Sequence, residues 1–130
     1  MPPGPAWLEA TETAGSLTAL GRVDVQRFFG GAGLVLDGVY FAFFMKGTLY
    51  LRTDAQTRPR FEVLSLAPFA YATKAGRVTV ASYYEAPAEA REDVQTLLDW
   101  AREAYAAALR ARRTPARRAA RPARARTATS

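Results

Sequence analysis

The spacing of apolar residues changes several times along the chain, and each change marks an element. Between Ala6 and Leu20 the apolar positions Trp7, Ala10, Ala14, Leu17 and Leu20 recur at steps of three and four, the period of a helix. Gly15 weakens that segment, and Gly21 reads as its C-terminal stop. Strand-like runs follow in quick succession: Val23 to Phe29, Leu34 to Leu36, Val39 to Met45, and Thr48 to Thr53. They are rich in β-branched and aromatic residues. Gly30-Gly31 reads as a turn or bulge, Asp37-Gly38 as a type I′ hairpin turn, and Lys46-Gly47 as a further tight turn. In the fourth run Leu49 and Leu51 share one face, Tyr50 and Arg52 the other.

Asp54 is a good N-cap for a short helix from Ala55 to Leu64, with Pro59 near its first turn. Phe69 to Thr73 and Val78 to Tyr83 alternate about the turn Ala75-Gly76. Pro87 opens a last helix running to Arg112, with an apolar stripe of Val94, Leu97, Leu98, Ala101, Ala104, Tyr105, Ala108 and Leu109. Strands joined by turns this short pair antiparallel. The expected fold is therefore α+β: an antiparallel sheet, made of a four-strand meander plus a hairpin, with flanking helices in the order α-β-β-β-β-α-β-β-α. Residues 1–5 read as a disordered lead-in, residues 6–109 as one domain, and residues 110–130 as a disordered Arg/Ala/Pro-rich tail without an apolar face.

Composition narrows the chemistry. The chain contains neither cysteine nor histidine, which excludes disulfides, thiolate or imidazole metal ligands, and Ser-His or Cys-His catalysis. No cofactor or metal is implied. No apolar run approaches the roughly eighteen residues of a membrane span. The N-terminal Met1-Pro2-Pro3-Gly4-Pro5 lacks the features of a secretory signal, so the chain reads as cytoplasmic. The net charge of +6 is unevenly spread. Residues 1–109 hold ten Lys and Arg against twelve Asp and Glu, whereas residues 110–130 hold eight Arg and no acid. Attraction to nucleic acid by bulk charge is thus expected of the tail alone, through Arg110, Arg112, Arg113, Arg117, Arg118, Arg121, Arg124 and Arg126. The competing reading is a solvated extension with no selected role. Sixteen Arg against two Lys is the bias of a GC-rich genome, where Ala/Arg/Pro tracts arise by drift.

One ordered set of motifs is more specific. It comprises Arg27, Phe29-Gly30-Gly31, Gly33-Leu34, Asp37-Gly38, an aromatic strand, and then Leu49-Tyr50-Leu51-Arg52-Thr53-Asp54. At these spacings it resembles the signature of the TfoX (Sxy) N-terminal domain family, and Pro68-Phe69-Ala70-Tyr71 and the terminal helix also fall where that family has them. The resemblance covers nearly all of residues 6–109. It implies a fold related to type III secretion chaperones and a non-enzymatic regulatory or adaptor role that binds a protein partner. Founding members assist a cyclic-AMP receptor protein at competence promoters, so a transcription regulator is the implied kind of partner. Those regulators carry a second, C-terminal domain, in whose place this chain has the arginine-rich tail. An exposed edge strand would also allow a homodimer.

Three features invite sharper functional readings. The Gly30, Gly31 and Gly33 cluster is a candidate phosphate loop, but a strand follows it where such loops need a helix N-terminus and a lysine. Tyr40, Phe41, Phe43, Phe44, Tyr50, Phe69, Tyr71, Tyr83 and Tyr84 are a candidate base-stacking platform, with core packing as the simpler reading. Asp24, Asp37 and Asp54 sit at strand ends and turns, where aspartate favours caps over catalysis.

Overall fold

The computed structural model describes residues 4–28 and 30–112. Phe29, Arg113, Arg117, Arg118, Arg121, Arg124 and Arg126 lie outside the described residues, as does nearly all of the expected tail. The elements are α1 (Pro5–Ser16), β1 (Val23–Phe28), β2 (Gly31–Leu36), β3 (Val39–Met45), β4 (Thr48–Arg52), α2 (Arg58–Val63), β5 (Pro68–Thr73), β6 (Gly76–Glu85), α3 (Ala88–Glu92) and α4 (Val94–Arg112). All six strands form one antiparallel sheet in the order β1-β2-β3-β4-β6-β5. The α+β class is the one the sequence predicts, and the succession of elements follows the prediction apart from a divided last helix.

The turns follow from residue chemistry. Asp37 and Gly38 have φ of 51° and 78°, and Lys46 and Gly47 have 51° and 81°. Both central residues are left-handed, as type I′ turns require, and this keeps the twist of the paired strands continuous. Differences from the expected elements have local causes. α1 starts at Pro5, whose missing N–H costs nothing at the first helical position. It ends at Ser16 rather than Leu20, and isolated turns carry the chain to Gly21. β2 begins at Gly31, so Gly31 and Gly33 are strand residues and only Gly30, at φ 82°, belongs to the turn. The last helix is two. Asp93 adopts an extended conformation, and its Oδ2 accepts bonds from the Thr96 N–H (2.9 Å) and hydroxyl (2.8 Å). Asp93 thereby acts as a helix N-cap, starting α4 afresh. Val94 consequently stands exposed, while Trp100 and Ala107 join the buried stripe.

One sheet face is covered by α1 and α4. Ala10, Ala14 and Leu17 meet Leu34, Leu36, Phe41, Phe44, Leu49 and Leu51, and Leu97, Leu98, Trp100, Ala101, Ala104 and Ala108 close the layer. An irregularity in β2–β3 pairing leaves Phe41 without a cross-strand partner, so Phe41 and Ala42 both join this core.

The opposite face is buried differently. Phe43, Phe69 and Tyr83 form its centre, with Phe28, Met45, Tyr50 and Val80 around them, all of them strand residues. Phe43 is 0% exposed although no described helix residue belongs to its cluster. Its ring lies 4.9 Å from Phe28 and 5.0 Å from each of Tyr50, Phe69 and Tyr83. Phe28 on β1 also reaches to 5.7 Å from Tyr83 on β6. Those strands stand four places apart in the sheet, a separation of roughly 19 Å if the sheet were flat. The sheet is therefore curled, and its concave side closes on Phe43.

Two glycines permit that curl. A Cβ on Gly31 would lie 2.0 Å from the Phe44 carbonyl oxygen, and one on Gly33 would lie 2.8 Å from the Tyr40 ring. Tyr40 instead lies against bare β2 backbone and stacks on Phe28 at 4.9 Å. Gly31→Ala should destabilise the domain by about 2–3 kcal/mol, because backbone must move. Gly15→Ala, in open space on α1, should stabilise it by up to about 1 kcal/mol. Urea unfolding of the two variants measures both, and equal effects would show that the contact at Gly31 is not limiting.

Candidate functional site

The signature residues fall into three groups. Gly30, Gly31, Gly33 and Gly38 shape turns and close strand approaches, and Leu34 and Leu49 are buried in the helix-covered core. Arg27 is exposed on β1. Asp37 sits in its hairpin turn, with Tyr105 of α4 donating a long 3.5 Å hydrogen bond to its Oδ2. Burial, followed by the nearby Asp37 carboxylate, raises the Tyr105 pKa. The phosphate-loop reading of the glycines does not match this geometry, since Gly31 and Gly33 face neighbouring strand atoms instead of opening towards solvent.

The third group lies where β4 ends. Tyr50, Arg52 and Asp54 alternate along the strand and its exit. Tyr50 stacks on Phe43, and its pKa is raised by burial and by Glu85 opposite it on β6. Thr53 is buried, donating its hydroxyl to the Ala81 carbonyl (2.7 Å) and its N–H to the Ser82 carbonyl (2.8 Å). These two bonds fix the strand exit against β6.

Asp54 then performs two tasks. Its Oδ1 accepts the N–H groups of Gln56 and Thr57, each at 3.0 Å, while its own N–H bonds to the Thr57 hydroxyl at 3.1 Å. This reciprocal cap holds a turn that leads into α2, which starts at Arg58 rather than Ala55. Asp54 also receives a two-pronged contact from Arg110 of α4, Nε to Oδ2 and one terminal nitrogen to Oδ1 (3.1 Å). The Arg110 side chain is the first cause holding the Asp54 carboxyl down to about 2. Arg110 and Arg112, which the sequence reading places at the end of the last helix and also counts among the tail's arginines, both belong to α4. Arg110 is committed to an ion pair in the folded body. Nothing local in sequence signals a partner 56 residues away.

Beside this clamp the concave face opens into a cavity of about 520 Å³. Phe28, Tyr40, Val80 and Tyr83 line it together with Arg52 of β4 and with Ala108, Ala111 and Arg112 of α4. Arg52 lies opposite Tyr83 in the β4–β6 ladder, its guanidinium carbon 5.6 Å from that ring's centroid. Burial raises the Tyr83 pKa, and the adjacent Arg52 works against that rise. The Arg52 Nε is buried without a hydrogen-bond acceptor. Of the aromatic residues considered as a stacking platform, Phe41, Phe44 and Tyr84 lie in the helix-covered core, Phe43, Tyr50, Phe69 and Tyr83 pack on one another within the curl, and Tyr40 stacks on Phe28. Tyr71 is 44% exposed. Asp24 is exposed beside Arg22. Among the described residues no cluster of three metal-ligating side chains occurs, and no helix is long and apolar enough to cross a membrane.

A carboxyl depressed in the folded state stabilises at pH above its unfolded value, near 3.9, and the contribution fades as pH falls towards about 2. Arg110→Ala should therefore cost about 1–2 kcal/mol at pH 7, allowing for the pair's partial exposure. The deficit should shrink steadily between about pH 4 and pH 2.5. Urea titrations across that range test this, and a pH-independent deficit would place the role of Arg110 in packing alone.

The family model described as TfoX N-terminal domain matches residues 16–108, from the last residue of α1 through all six strands and most of α4. No curated protein matches the chain. The glycine cluster, both type I′ turns and the β4 segment ending at Asp54 all lie inside the matched span. The chain belongs to the TfoX N-terminal domain family.

Proposed function

We propose that this domain is a non-enzymatic, cytoplasmic regulatory or adaptor module that works by binding a protein partner, with a transcription regulator as the partner class. The observation that carries this reading is the family match over residues 16–108. The fate of the signature residues supports it: they build turns, strand contacts and one ion-paired clamp, a scaffold rather than a set of reacting groups. The β5–β6 hairpin offers a place for a partner. The β4–β6 ladder pairs Tyr83, Tyr84 and Glu85, and Thr53 adds bonds to Ala81 and Ser82, so residues 76–80 project with the facing part of β5 as an arm. Tyr71 (44% exposed) and Val78 (37%) stand on that arm beside the outer edge of β5, the last strand of the sheet. An extended segment of a partner, or a second copy of this chain, adds to such an edge by backbone hydrogen bonding.

A second reading rests on charge. The eight Arg from Arg110 onward, with no acid among them, suit non-specific attachment to nucleic acid. Arg110 is occupied by Asp54, which leaves Arg112 and the residues beyond it for this role.

One pair of measurements separates the readings. The full chain, immobilised, should retain a saturable protein partner from lysate of its source cells, and Tyr71→Glu with Val78→Glu should release it. Failure to enrich any protein above a charge-matched control would contradict the adaptor reading. In parallel, duplex DNA is titrated with the full chain and with a chain ending at Arg112. Binding that needs residues 113–130, and that weakens by orders of magnitude between about 50 and 200 mM salt, supports the second reading. Equal binding by both chains removes it.

A further inference from the structure

The cavity on the concave face is unlike the rest of the molecule in charge. Residues 1–109 carry more acids than bases, yet among the described residues lining this cavity there are two arginines and no carboxylate. Its volume of about 520 Å³ is that of a site for one small ligand. Three aromatic residues, Phe28, Tyr40 and Tyr83, are among those that line it, and aromatic side chains accept a planar apolar body. Arg52 is held in place by its position in the β4–β6 ladder and by the ring of Tyr83. Its Nε–H is nevertheless buried with no acceptor. A buried guanidinium donor without a partner is rare, because such groups are ordinarily satisfied. The planar fork of arginine matches the paired oxygens of a carboxylate or phosphate.

We propose that this cavity is a binding site for a small organic anion, a carboxylate or phosphate attached to a planar apolar body. Arg52 is the direct ligand of the anionic group. Arg112, on the exposed last turn of α4, adds positive charge at the mouth, and Tyr40 and Tyr83 flank the apolar part. Because residues of both α4 and β4 line the cavity, an occupant would bridge α4 and the end of β4, close to where the Asp54–Arg110 clamp joins them.

The test is a titration of the full, ¹⁵N-labelled chain with phenyl phosphate and, separately, with benzoate. The reporter is the Arg52 Nε–Hε cross-peak, identified by its loss in Arg52→Lys. At least one aryl anion should shift this signal saturably. Arg52→Gln should weaken the binding about tenfold or more, the scale of a lost charge-assisted hydrogen bond. Arg112→Glu, at an exposed position, should weaken it severalfold while the rest of the spectrum stays that of the folded chain, and it decides the matter if Arg52→Gln does not fold. The relative strength of the two probes tells a phosphate site from a carboxylate site. The proposal is overturned if neither aryl anion shifts Arg52, if inorganic phosphate binds as tightly as phenyl phosphate, or if affinity survives both charge substitutions within about twofold.

Discussion

The close approach of backbone and ring at Gly31 and Gly33 is the constraint on which the rest of the structure depends. Without side chains there, β2 comes within contact distance of the Phe44 carbonyl and of the Tyr40 ring. That lets the sheet bend far enough for Phe28 on β1 to approach Tyr83 on β6. A flat sheet of this order would leave one face wet and would need a further layer of helices to bury it. The curl buries Phe43 completely within a cluster of strand residues. A compact domain then needs helices on one face alone, and α1 and α4 supply them.

The curl also decides where polar groups can sit. The concave face narrows around Phe43 and opens at the end of β4, where Arg52 meets a cavity lined by no described carboxylate. Two residues further on, Asp54 is drawn to α4 by Arg110. Arg52 and Asp54 are thus neighbouring charges of opposite sign with different fates. Asp54 is capped and paired, while the Arg52 Nε lacks an acceptor. The pairing of Asp54 fixes the last turns of α4 beside the cavity, so Ala108, Ala111 and Arg112 line it. Scaffold and cavity share one set of contacts.

Much of this was legible in the chain, for local reasons. Asp37-Gly38 and Lys46-Gly47 announce type I′ turns because few residues tolerate φ > 0 at both positions, and the alternation of Leu49 and Leu51 with Tyr50 and Arg52 assigns the faces of β4. The motif set led to the family. What stayed hidden was non-local or stereochemically subtle. Gly31 reads as a turn residue and Gly33 as part of a candidate phosphate loop, because their strand role shows only when Phe44 and Tyr40 arrive from β3. The break at Asp93 has a local signal, an aspartate three residues before a threonine, but a helical stripe on either side masks it. Arg110 joins the arginines of the tail by composition, and only tertiary structure reveals its carboxylate partner. Burial of the second face without helix cover stayed hidden too, because curvature of a sheet has no periodicity to betray it.

The claim that side-chain-free strand backbone shapes the sheet around Tyr40 and Phe28 is tested most directly by a double-mutant cycle. Unfolding free energies are measured for the native chain, Gly33→Ala, Tyr40→Ala and the double variant. If the added methyl group at position 33 is harmful because it meets the Tyr40 ring, its cost falls by about 1 kcal/mol or more once that ring is gone. A residual penalty remains from Phe28, whose Cβ would lie 3.1 Å away. If Gly33→Ala costs the same in both backgrounds, the ring and the bare backbone are uncoupled, and the curl does not depend on their contact.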